Sequence, residues 1–206
     1  MGAAPVHVWM PPAPGAPTLL CLHGRGGNEH DLVDIARMIV PGAGVLAPRG
    51  PEPQGPGGWA WFVHQGIGVP VAESFLECRD ALIEWLVAAL LEYAITGPMT
   101  GLGFSNGGMM AGALVAARPD LVDAAILMSS GYALSDQIMA PGGLTGRRVL
   151  ICGGEEDPFH SVETATAGAT RYRSAGAEVE LILEPGVGHT ITRAQVQAAT
   201  SWMQHR

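Results

Sequence analysis

Short, uninterrupted apolar runs alternate with helix-periodic segments along the whole chain, and this alternation limits the fold more than any other feature. Runs such as "PTLLCL" and "RVLICGG" offer no polar face, so each reads as a parallel strand covered on both sides. Strands are predicted near 5–9, 18–22, 44–47, 98–103, 123–129, 147–152 and 178–183, with helices over 29–40, 72–93, 105–118, 161–175 and 191–204. The helix at 72–93 carries an apolar stripe of Phe75, Leu76, Leu82, Ile83, Leu86, Val87, Leu90 and Leu91, which reads as core-facing. The expectation is an α/β fold with a mostly parallel central sheet and helices on both faces.

No internal repeat or linker divides the 206 residues, so a single domain spanning 1–206 is expected. The stretch from Leu127 to Arg147 is too short for a separate lid, which leaves any site fairly open. Basic residues number 11 against 19 acidic ones, for a net charge of -8, and no Lys/Arg block occurs. That balance lacks the electrostatic footprint of a nucleic-acid binder. No apolar run approaches the roughly 18 residues of a membrane span, so no stable membrane insertion is expected. The start of the chain shows no cationic segment followed by an apolar run, and a cytoplasmic location is expected. Cys21, Cys78 and Cys152 lie in apolar surroundings without CxxC spacing and read as inert, buried thiols.

In sheets of this kind ligands gather at the carboxyl ends of the strands. One strand end carries "TGLGFSNGGMM", residues 100–110, whose glycines could cradle a phosphate or make room for a reactive serine. The phosphate pattern Gly-x-Gly-x-x-Gly fails, because its third glycine position is Asn106 and the next strand ends without a carboxylate. The pattern Gly-x-Ser-x-Gly fits at Gly103 to Gly107, between a strand and a helix, and would present Ser105 on a sharp turn.

A serine hydroxyl needs a base to take its proton as it attacks a carbonyl. In this class of site the order along the chain is Ser, then Asp/Glu, then His. Asp157 and His189 follow the next two predicted strands after 123–129 in that order. Glu155 and Glu156 compete with Asp157, which is preferred because Pro158 favours an extended conformation just before it. Asp157 would orient His189, and His189 would serve Ser105. Backbone amides of Asn106 and of Arg25, in the loop "HGRGG", would receive the oxyanion. Since a backbone donor survives side-chain change, substitutions of Arg25 or Asn106 are expected to be mild.

Trp59, Trp61 and Phe62 either pack their long loop onto the body or wall a substrate pocket. His160 either lies at the pocket rim or contacts substrate, and Arg49 either holds the loop or meets a substrate carboxylate. A metal site built from His23, His160 or His189 with Asp157 lacks tight ligand spacing, so no metal and no cofactor are expected. A ligand-binding module on the same scaffold is the reading from a different class.

The chain resembles an α/β-hydrolase of the phospholipase/carboxylesterase family, the group that includes acyl-protein thioesterases. The segments that carry the resemblance are "LLCLHGRGGNEHDLVDIA", "GFSNGG", "EEDPFHSVETA" and "GVGHTIT". It implies a serine hydrolase acting on small to medium carboxylic esters, with Ser105, Asp157 and His189 as triad and Arg25 and Asn106 as oxyanion amides. It leaves thioesterase or lysophospholipase activity open and leaves room for a homodimer. Acyl-protein thioesterases usually have glutamine after the serine and aspartate after the second loop glycine, where Asn106 and Gly27 stand here, so the likeness is to the small bacterial esterase branch.

Overall fold

The computed structural model describes residues 4–66, 69–130, 139 and 141–205. Part of the connection from Leu127 to Arg147, where no room for a lid is expected, lies outside the described residues. In chain order the elements are β1 (His7–Met10), β2 (Thr18–Leu22), α1 (Val33–Ile39), β3 (Gly44–Pro48), β4 (Glu52–Pro53), β5 (Trp59–Ala60), β6 (His64–Gly66), β7 (Val69–Pro70), α2 (Ala72–Glu92), β8 (Met99–Phe104), α3 (Asn106–Ala117), β9 (Val122–Met128), β10 (Arg148–Gly154), α4 (Val162–Ser174), β11 (Glu178–Glu184) and α5 (Arg193–Gln204).

Seven strands form one sheet in the order β1-β3-β2-β8-β9-β10-β11. Only β1 runs antiparallel, against β3. The chain moves from β2 outward to β3 and then returns to the other side of β2 at β8. That reversal opens a crevice between β2 and β8 at their carboxyl ends, where such folds bind ligands.

The double-sided burial expected of the parallel strands is visible residue by residue. In β2, Leu20 and Leu22 join a core with α2, α3 and α4, while Leu19 and Cys21 join one with α1 and α5. In β10, Val149 and Ile151 face the first core and Leu150 and Cys152 the second. Helix α3 is buried along most of its length. The stripe on α2 is narrower than expected: Phe75, Leu82 and Leu86 are buried, but Val87 and Leu91 are exposed. The apolar positions of 72–93 span more than one helix face, so the outer ones point to solvent.

The helix expected at 29–40 begins only at Val33. Asn28 Oδ1 accepts from the His30 N–H and Asp31 Oδ2 from the Asn28 N–H, and these local bonds hold a turn in place of a first helical turn. Strands β4 to β7 were not foreseen. They are two or three residues long, and β4–β5 pairing is made across a Gly/Pro-rich loop with no periodicity to read.

Candidate active site

Ser105 follows β8 directly and starts the turn into α3. Its backbone lies at φ 51° and ψ -117°, a left-handed conformation costing on the order of 1–3 kcal/mol for a residue with a side chain. The turn is clamped by its surroundings: the Ser105 N–H donates to the Met128 carbonyl at 2.9 Å. A Cβ on Gly107 would collide with the carbonyl oxygens of Leu22 and His23, and one on Gly103 with the Gly107 carbonyl. Both glycines are therefore required by backbone passing against backbone. The serine side chain makes no cap to its own helix.

The loop after β10 is tied to the loop after β11 by the Glu156 N–H donating to the Val187 carbonyl at 2.9 Å. This brings Asp157, and not the exposed Glu155 or Glu156, to His189. Asp157 is buried, with Oδ1 accepting from the Phe159 and His160 N–H groups at 2.8 and 3.0 Å and Oδ2 contacting His189 Nδ1 at 2.7 Å. Burial alone would push this carboxyl up, but the hydrogen bonds from His189, Phe159 and His160 outweigh it and hold the group below the ordinary aspartate value. An ionised carboxylate can only accept, so His189 Nδ1 carries a proton, and in the neutral ring Nε2 is the acceptor.

Three rings fix the His189 imidazole. Phe104, the residue before Ser105, lies 4.9 Å away, Phe159 meets it edge-on at 4.9 Å, and His160 stacks at 5.6 Å. Burial pushes the His160 imidazole down to about 4, so it is neutral at pH 7. Behind His189, Ser129 Oγ donates to the Thr190 carbonyl at 3.0 Å, and Gln195 Nε2 to the Gly153 carbonyl at 3.2 Å.

On the far side of Ser105, the loop after β2 carries the exposed Arg25. Its neighbours are pinned by Trp59: the Gly26 N–H donates to the Trp59 carbonyl at 2.8 Å, and the Trp59 N–H to the Gly27 carbonyl at 2.9 Å. Buried His23 accepts at Nε2 from the Gly50 N–H (2.9 Å), so its Nδ1 is the donor to the Gly24 carbonyl (2.8 Å). Desolvation keeps this imidazole below its ordinary value, and both nitrogens are engaged within the protein. Among the described residues no group of three or more His, Cys, Asp or Glu side chains is arranged to hold a metal.

Residues 4–206 match the profile of the family described as phospholipase/carboxylesterase. The chain belongs to that family. It is 30% identical over 193 residues to MhqD of Bacillus subtilis (strain 168), described as a hydrolase, covering 89% of this chain and 90% of the relative. It is 28% identical over 208 residues to the esterase YpfH of Escherichia coli (strain K12), covering 96% and 86%. The crystal structure of the Bacillus cereus carboxylesterase superposes with a TM-score of 0.89 at 28% identity, covering 96% of this chain and 92% of that one. The protein is an α/β-hydrolase and an ester hydrolase of this family.

Within this family member, the aromatic loop is structural. Trp61 and Phe62 are sealed in the core at 2% and 0% exposure, so they present no surface to a substrate. Phe62 packs against Phe75, and the indole of Trp61 donates to the His23 carbonyl at 2.8 Å. Trp59 is partly buried under the guanidinium of Arg49, 5.0 Å from its ring. Arg49 itself makes a two-pronged pair with Glu29, both bonds at 2.6 Å, and thereby anchors the loop. The apolar ring exposed beside His189 is Phe159, which nothing in the local sequence marks out. His160 is buried behind His189 rather than standing at the rim.

The expectation that Asn106 tolerates side-chain change is also revised. The side chain is 2% exposed, accepts from the Trp61 N–H at 3.0 Å, and contacts His64 Nε2 through Nδ2 at 3.2 Å. Its contacts span 45 and 42 residues, and nothing in the local spelling announces them.

Proposed function

We propose that the chain is a serine carboxylesterase in which Ser105 is the nucleophile, His189 the general base and acid, and Asp157 the group that orients His189. The observation that carries this reading is the Asp157–His189 bond beside the strained Ser105 turn, at the carboxyl ends of the strands. Ser105 Oγ attacks the ester carbonyl while His189 Nε2 takes its proton. The amides of Asn106 and Arg25 receive the oxyanion, whose loss of one such donor typically costs about 10² to 10³ in rate. His189 returns the proton to the leaving alcohol, and water, activated by the same nitrogen, releases the acid from Ser105.

The substrates are small to medium carboxylic esters. Phe159, half exposed and edge-on to His189, is suited to pack against an acyl or aryl group at the mouth. Cys21 and Cys152 are buried free thiols, which suits a reducing compartment, and we place the enzyme in the cytoplasm. A hydrolysis panel tests the reading: short and long acyl p-nitrophenyl esters, aryl acetates, an acyl-thioester and a lysophospholipid, each with Ser105→Ala as control. Short-chain and aryl esters are expected to give the highest kcat/KM, and Ser105→Ala to abolish it. Preference for the thioester or the lysophospholipid would overturn the substrate class, and turnover by Ser105→Ala would overturn the nucleophile.

A further inference from the structure

We propose that the buried Asn106 side chain and the Trp61 indole form a brace that fixes the separation of the two oxyanion amides, making both positioning residues for the esterase reaction. The inference rests on the reading of Asn106 and Arg25 as oxyanion donors and adds the part that holds them in register.

The two donors come from different loops, Asn106 from the start of α3 and Arg25 from the loop after β2. Among the described residues no hydrogen bond joins these loops directly within the segment 23–27, although their backbones touch where Gly107 passes the Leu22 and His23 carbonyls. The hydrogen-bonded link runs through residues 59–64. Asn106 Oδ1 accepts from the Trp61 N–H at 3.0 Å, and since that oxygen is an acceptor, Nδ2 must donate to His64 Nε2 at 3.2 Å. His64 is thereby required as a neutral acceptor. Desolvation, with the charge of Arg25 assisting, keeps its pKa lowered. From the same Trp61, the indole N–H donates to the carbonyl of His23, two residues before Arg25, at 2.8 Å. On the other side of Arg25, the Gly26 N–H donates to the Trp59 carbonyl at 2.8 Å. The segment from Trp59 to Trp61 thus grips Arg25 from both sides and is itself gripped by Asn106.

The chemistry favours a brace over simple packing. A buried primary amide is unfavourable unless its groups are bonded, and an apolar side chain would fill the same volume without that penalty. What the amide adds is direction, because it sits on the residue whose own N–H faces the developing charge. An oxyanion hole acts through preorganised donors, so a shift of either amide lowers transition-state binding without touching ground-state binding.

The test compares wild type, Asn106→Ala, Trp61→Phe and the double variant, with Ser105→Ala as control, on a short p-nitrophenyl ester and on an arylboronic acid that forms a tetrahedral anion at the serine. Asn106→Ala is expected to lower kcat about 10- to 100-fold with KM within about 3-fold, since misplacement by about an ångström costs that order. Boronate affinity should fall by the same factor as kcat. Trp61→Phe keeps a ring in the core and reads the brace from its other end, should Asn106→Ala fail to fold. The double variant should be little worse than the poorer single one, because both break one linkage. Unchanged kcat in either folded variant, or a loss carried by KM with boronate binding intact, would overturn the brace. Boronate binding equal in wild type and Ser105→Ala would overturn instead the site assignment on which the brace rests.

Discussion

Asp157 is buried and yet ionised because three donors converge on it, and the direction of those donors decides what a substitution does. In Asp157→Asn the backbone N–H groups of Phe159 and His160 hold the amide oxygen at the Oδ1 position, so the NH₂ faces His189. His189 Nδ1 must then accept, which moves its proton to Nε2 and removes the acceptor that the proposed mechanism requires there. A loss of kcat of roughly 10⁴ is expected on a p-nitrophenyl ester, and a loss of only a few-fold would contradict the role. The same carboxylate contributes to stability with a definite pH sense. Its folded pKa lies below 3.8, so the contribution is present above about pH 3.8 and is lost as pH falls through the folded value. The sharp turn at Ser105 and the pairing of Asp157 with His189 are legible in the sequence because order along the chain and position at strand ends are local properties. The work of His23, His64 and the Asn106 side chain is not, since each depends on a partner tens of residues away.

Among the elements, the loop between β3 and α2 is the one that sequence periodicity could not order. Its strands are too short to show alternation, and its anchor is an ion pair. Glu29 is 4% exposed and held by Arg49, and that hydrogen bond overcomes burial to bring the carboxyl down to about 2. The pair therefore supports the fold above about pH 4.5, and its support fades as pH falls towards 2. Arg49→Ala leaves a buried carboxylate without its partner, and the urea midpoint at pH 7 should fall further than in Glu29→Gln/Arg49→Ala. The gap between wild type and Arg49→Ala should narrow as the pH is taken below 4.5. A double variant less stable than Arg49→Ala would contradict this account of the loop. The helices and long strands, by contrast, are legible to within a few residues, because each carries its own apolar pattern.

For the whole molecule, the sheet order gathers into one crevice four loops that are far apart in sequence. The loop after β2 stands on one side of the switch point, and those after β8, β10 and β11 on the other. The alternation of apolar runs and helices is enough to predict such a sheet, and the order of Asp157 and His189 at successive strand ends is enough to predict that these two side chains meet. It was not enough to predict which aromatic rings are exposed at the site. Trp61 and Phe62 fill the core, and Phe159 stands beside the histidine. In the proposed mechanism this arrangement makes Ser105 the nucleophile. Intact-mass measurement after exposure to a fluorophosphonate tests it most directly: wild type should gain a single phosphonyl adduct, mapped to Ser105, and Ser105→Ala should gain none. Equal labelling of the two proteins, or an adduct on any other residue, would contradict it.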